Sequence, residues 1–224
     1  MPLPDNQSVY LPRVAAFVLL LAGLIFAGDK GFTPPRAQPA QTYPAHESHT
    51  DEKVTIALDL YTDAKAAIFK VKYKEYDLLP VRLIITNDND KPLMLDHIKI
   101  ELITVHKEKI PVAVRDDILR KLARPEKVTS RPKVRLPVPV PHDRNPISKD
   151  AREEIDSAMF VNVPVSPHTT NSGFLFFDVA GIDNPQEQAH VYISGIKAGS
   201  QELFYFDIPL DDSLNRPVPA KPGN

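Results

Sequence analysis

Residues 78–87, LLPVRLIITN, constrain this chain more than any other stretch. Read with period two, Leu79, Val81, Leu83 and Ile85 fall on one face, and Arg82 and Thr86 on the other. Alternation rich in β-branched residues, closed by Asn87 and the DND that precedes Lys91 and Pro92, predicts a half-buried strand ending in a turn. A second run, residues 98–105 (IKIELITV), alternates again with Ile98, Ile100 and Leu102 inward. The two are expected to be neighbouring antiparallel strands of a sheet with one wet face.

Similar patterning predicts strands over 54–60, 69–73, 160–165, 173–179, 191–194 and 203–210. In the last, Phe204, Phe206 and Ile208 share a face; residues 173–179 (GFLFFDV) are apolar on both faces, as in an interior strand. Two short helices interrupt the pattern. Residues 116–124 carry acids at the start, bases at the end and Pro125 as the stop, with Ile118, Leu119 and Leu122 apolar. Residues 148–159 begin on Ser148 as a cap and carry an apolar stripe of Ala151, Ile155, Ala158 and Met159. The expected class is mainly β: an immunoglobulin-like antiparallel β-sandwich with a long insertion carrying two short helices, preceded by an N-terminal hydrophobic helix.

The ends of the chain read differently. Residues 14–27 (VAAFVLLLAGLIFA) are uncharged and follow Arg13, which predicts a signal peptide or N-terminal membrane anchor over residues 1–27. Either reading exports the remainder, to the periplasm or the extracytoplasmic face of the cytoplasmic membrane. Residues 28–52 form a Pro/Ala/Gln-rich linker, 53–210 the sandwich with its basic, proline-bearing insertion at 107–159, and 211–224 a proline-rich tail. Lacking cysteine, the chain can hold no disulfide, thiolate metal site or cysteine nucleophile. Its net charge of −2 provides no general pull toward nucleic acid.

The strand at 79–87 that ends in an asparagine, and the later Pro167 loop leading to Gly173 and FLFFD, together resemble immunoglobulin-like domains of exported bacterial envelope proteins. The likeness spans roughly residues 54–210 and implies the sandwich fold. It brings no activity and no site residue with it. This chain also has neither the cysteine pair nor the core tryptophan of antibody-type domains.

No nucleophile elbow, phosphate-binding loop or dinucleotide fingerprint is present, and no cofactor is expected. The expected function is a non-catalytic binding module of the envelope, its partner an envelope protein or a surface polymer, with the inner membrane engaged through residues 14–27 if these are retained. Basic residues are dense between 115 and 141, so Arg120, Lys121, Arg124, Arg131, Lys133 and Arg135 are the expected partner contacts. Two alternatives stand beside it. One is a periplasmic metal-binding protein using His46 and His49, although HESH lacks the spacing of a zinc protease. The other is a glycan-acting enzyme, which would need two carboxylates brought together by folding.

Overall fold

The computed structural model describes residues 32–123 and 147–211. The apolar run at 14–27, the segment carrying Arg124, Arg131, Lys133 and Arg135, and the tail from residue 212 lie outside the described residues. Among the described residues no helix is long and apolar enough to cross a membrane.

The protein is mainly β, with three antiparallel sheets and a few short helices. In chain order come β1 (Ala45–His49), β2 (Val54–Leu60), α1 (Asp63–Ala66), β3 (Leu78–Asn87), β4 (Leu93–Met94), β5 (Lys99–Ile103) and β6 (Lys109–Pro111). They are followed by α2 (Arg115–Leu122), α3 (Lys149–Ala158), β7 (Thr169–Asp178), β8 (His190–Ser194), β9 (Lys197–Ala198), β10 (Gln201–Glu202) and β11 (Phe206–Pro209). One sheet runs β1-β2-β3-β7, another β11-β8-β5-β6, and a small one β10-β9-β4. Both larger sheets feed one apolar core, to which Ile56, Leu58, Leu83, Ile85 and Phe177 contribute from the first and Leu102, Val191, Ile193, Phe206 and Ile208 from the second. Each fully buried side chain of this kind is worth roughly 1.5–3 kcal/mol relative to exposure, so this cluster dominates stability.

Several expectations change. The runs at 78–87 and 98–105 are not sheet neighbours: β3 pairs with β2 and β7, whereas β5 pairs with β8 and β6. After Asn87 the chain passes through β4 of the small sheet before it reaches β5 of the second large one. Nor does β3 have a wet face, for all ten of its residues are buried. Residues 32–43, expected to be linker, cover it: Ala40 and Tyr43 cluster with Ala57 and Ile84, and the amide of Ala40 donates to Thr86 Oγ1 at 2.8 Å. Arg82 beneath them is only 2% exposed and donates to the carbonyl of Pro35 and to Ser172 Oγ (2.9 Å). The linker also contains β1, which pairs with β2 from Ala45↔Leu58 to His49↔Val54. β1 has one buried apolar residue, Ala45, too few to make a period.

Residues 69–73 are loop and 3-10 turn rather than strand, and residues 160–165 form no strand, Val165 joining Leu93 through an isolated bridge. β7 lies at the end of its sheet, not inside it. It reads as apolar on both faces because helices α2 and α3 cover the second face, with Ile118, Ile155 and Ala158 packed on Phe174 and Phe176. Both helices form where the pattern placed them. Ser148 caps α3 by accepting the amide of Ala151 at 3.1 Å.

Two motif residues have specific work. The side-chain amide of Asn87, fully buried, lies 2.9 Å from the carbonyl of Lys91 and 3.0 Å from that of Val165. It therefore sews the turn to the segment that leads into β7. A Cβ on Gly173 would come within 2.5 Å of Phe160 Cα, so only glycine lets that backbone cross β7 here.

Candidate functional site

Between β2 and β3 the chain leaves the sheet for a long excursion. It passes through α1, a loop, a 3-10 turn at Tyr73–Tyr76 and a left-handed Asp77 (φ 55°) before rejoining at Leu78. Facing it is the loop after β7, residues 179–186. Between the two opens a cleft of about 820 Å³. Its floor holds the buried Tyr61, Phe69, Leu79 and Pro80, and its rim the exposed Lys70, Lys72 and Lys74. Ligand sites are typically apolar concavities of ~300–1,000 Å³ with a few polar groups at the edge.

The walls are fastened from behind. Glu154 on α3 is 1% exposed, and its carboxylate accepts the amides of Lys70 (2.5 Å) and Val71 (3.2 Å) and the Tyr73 hydroxyl (3.0 Å). Burial, and then the neighbouring Glu154 charge, push the Tyr73 phenol well above its ordinary range. The amide of Val179 donates to the carbonyl of Asp77 at 2.9 Å, joining the two walls at one end. Phe69 packs edge-on against Phe174 (4.9 Å) and Tyr73 (5.1 Å), so the floor is part of the aromatic cluster beneath the helices. Tyr61 on the floor also titrates high, chiefly through burial and then Asp59, against the opposing pull of Arg82.

The rim lysines are paired at the surface, Lys70 with Asp150 (3.3 Å) and Lys72 with Glu75 (3.2 Å). Exposed pairs of this kind contribute about 0–1 kcal/mol, so an incoming anion can exchange with them at little cost.

Of the expected contact residues, two lie among the described ones, and they behave differently. Arg120 is 70% exposed and pairs with Asp117 one turn earlier at 3.1 Å. Lys121 is turned inward, its ammonium bonded to Asp178 and 3.4 Å from the carbonyl of Tyr76. It clamps α2 to both walls of the cleft rather than facing solvent. Arg115, also in the basic stretch, forms a two-pronged bond to Asp156 of α3 (2.5 and 3.0 Å).

His46 and His49 are not brought together. Three residues apart on β1, they point to opposite faces. His46 Nδ1 meets the carbonyl of Tyr43 at 2.6 Å. His49 stacks on Phe206 (centroids 3.9 Å apart, 11° between planes) with Glu52 Oε2 at 2.8 Å from Nδ1 and Glu47 Oε1 at 3.1 Å from Nε2. Both ring nitrogens are thus occupied by carboxylates. Among the described residues no group of three or more His, Asp or Glu side chains is arranged to hold a metal ion.

Sequence reasoning missed the cleft because alternation at FKVKY imitates an edge strand whose lysines face water. The one usable sign was Asp77 before the LLP of β3, a residue type that tolerates the left-handed turn needed there. No family model, curated protein or solved structure matches the chain.

Proposed function

We propose that this protein is a non-catalytic interaction module of the cell envelope, exported or tethered through residues 14–27, and that the cleft between residues 61–80 and 179–186 receives an apolar segment with acidic flanks from an envelope protein. The observation that carries the reading is the cleft itself: a floor of buried aromatic and aliphatic side chains, with Lys70, Lys72 and Lys74 clustered on the 61–80 wall that Glu154 fixes, and Glu75, Asp77 and Asp183 elsewhere along the lining. A buried floor gives an apolar ligand somewhere to lose water, and lysines favour an anionic neighbour. The immunoglobulin-like sandwich belongs to the same proposal. It is supported by strands β2-β3-β7 in one sheet and β11-β8-β5-β6 in the other, an arrangement compatible with the strand distribution of that fold.

The absence of cysteine makes the test clean, since one introduced thiol is unique. Full-length Lys72→Cys carrying a photoreactive maleimide is expected to crosslink a discrete protein in intact envelopes, and adding Lys70→Glu and Lys74→Glu should abolish the adduct. The same probe at Asp90, away from the cleft, serves as control. An adduct unaffected by charge reversal, or equally strong from Asp90→Cys, would contradict the assignment.

A further inference from the structure

The outer side of the β11-β8-β5-β6 sheet carries a second feature, unrelated to the cleft. The last strand was expected to place Phe204 with Phe206 and Ile208 on its inner face. Instead β11 begins at Phe206, and Phe204 and Tyr205 stand 76% and 55% exposed. Tyr205 lies against Tyr192 of β8, ring centroids 5.2 Å apart and 31° between planes. In the register, Glu101 of β5 and Asp207 of β11 sit opposite Tyr192 on its two sides, so the Tyr192 ring is flanked by two carboxylates. His190 bonds Asp207, and Lys109 lies 3.6 Å from Glu101.

The segment that carries Tyr205 is held on both sides. Glu52 Oε1 accepts the amide of Phe204 at 2.9 Å and Glu47 Oε2 the amide of Asp207 at 2.6 Å. The other oxygens of the same carboxylates grip His49, which stacks on Phe206 beneath. His49, one of the two metal-site candidates of β1, therefore contributes to a support that fixes the exposed Tyr205 beside the half-buried Tyr192. Loops ordered in advance spare a ligand the cost of ordering them.

We infer that this face binds a polysaccharide of pyranose rings, with Tyr192 and Tyr205 as the stacking platform. A pyranose presents C–H groups on its face and hydroxyls around its edge. The face suits the electron-rich side of an aromatic ring, and the edge suits carboxylate and imidazole partners beside it. A protein partner fits less well, because interface cores are depleted of charge and here two carboxylates flank Tyr192 at the centre of the platform. Stacked nucleic-acid bases fit worse still, since Glu101 and Asp207 would repel phosphates.

The test is co-sedimentation of the full-length protein with peptidoglycan sacculi, chitin and cellulose. Wild type is expected to sediment with at least one of them. Tyr192→Ala and Tyr205→Ala should each weaken that binding about tenfold, the scale of one lost stacking contact, while Tyr205→Phe keeps it within about twofold. Because Tyr205 lies on an exposed loop, Tyr205→Ser provides a second reading should Tyr192→Ala fail to fold. Wild type left in the supernatant from all three polymers would overturn the inference. So would binding that Tyr205→Ser leaves unchanged.

Discussion

Two loops of this protein are held by the same device in different surroundings. The cleft loop takes its backbone bonds from Glu154, buried at the back of the aromatic cluster with Tyr73 as its side-chain donor. The aromatic loop takes them from Glu52 and Glu47, nearer the surface and joined by His49. In both, a carboxylate from another element replaces the sheet partner that the loop backbone lacks. The difference is what removal exposes. Deleting Glu154 strands a buried hydroxyl and leaves two half-buried amides without their acceptor, whereas deleting Glu52 leaves the amide of the exposed Phe204, which water can reach.

Glu154→Ala should therefore have the largest effect, about 3 kcal/mol of stability by urea unfolding, because unsatisfied buried donors cost ~1–3 kcal/mol each and part is recovered by relaxation. Glu154→Gln, which keeps acceptor capacity, should lose about half as much. A loss below about 0.5 kcal/mol for the alanine variant would break the comparison, since surface changes already reach that size.

Next comes Tyr73→Phe, expected to cost about 1 kcal/mol, the worth of one hydrogen bond. Its pH behaviour sharpens the point. Since the folded phenol titrates above its ordinary value, its contribution is complete below about pH 10 and lost as pH rises from there. Tyr73→Phe should remove that part of the alkaline destabilisation and leave the acid side as it was, which unfolding between pH 8 and 11 would check.

Glu52→Ala should cost less again in global stability, under about 1 kcal/mol, because its donors can be rehydrated. Its main effect should be local, with faster hydrogen exchange at Phe204. Smallest is Asp156→Asn, on the exposed tie between α2 and α3. The Arg115 guanidinium, by hydrogen bonding and then by charge, holds the Asp156 carboxyl below its ordinary range. That contribution is present above an ordinary aspartate's value of ~3.9 and lost as pH falls through the depressed one. Because the pair is exposed, the variant should be only slightly less stable than wild type at neutral pH. Even that difference should vanish as pH falls below about 4, which parallel acid titrations of the two would check.

Much of the fold was legible because period-two runs with β-branched residues have few other homes: β2, β3 and β8 stand where alternation put them, and Ser148 caps α3 as its position before an acidic first turn suggests. What was hidden depends on partners remote in sequence. β1 forms on the edge of β2 with a single buried apolar residue, and Glu47 and His49 supply bonds that no local pattern announces. The cover over Arg82 comes from residues 32–43, whose prolines and alanines read as linker because they bury surface without any period. The candidate site was least legible of all. Basic density drew attention to Arg120 and Lys121, yet Lys121 is used to clamp the cleft walls, a role visible only once Asp178 lies beside it.

That both exposed surfaces are presented by loops fixed in advance can be tested most directly by native-state amide hydrogen exchange on the free protein. The amides of Lys70, Val71, Phe204 and Asp207 should all be protected well beyond their exposed neighbours, and Glu154→Ala should release the first two alone. Unprotected exchange at all four in the wild type would show that the loops are not held, and the account of both surfaces would fail with it.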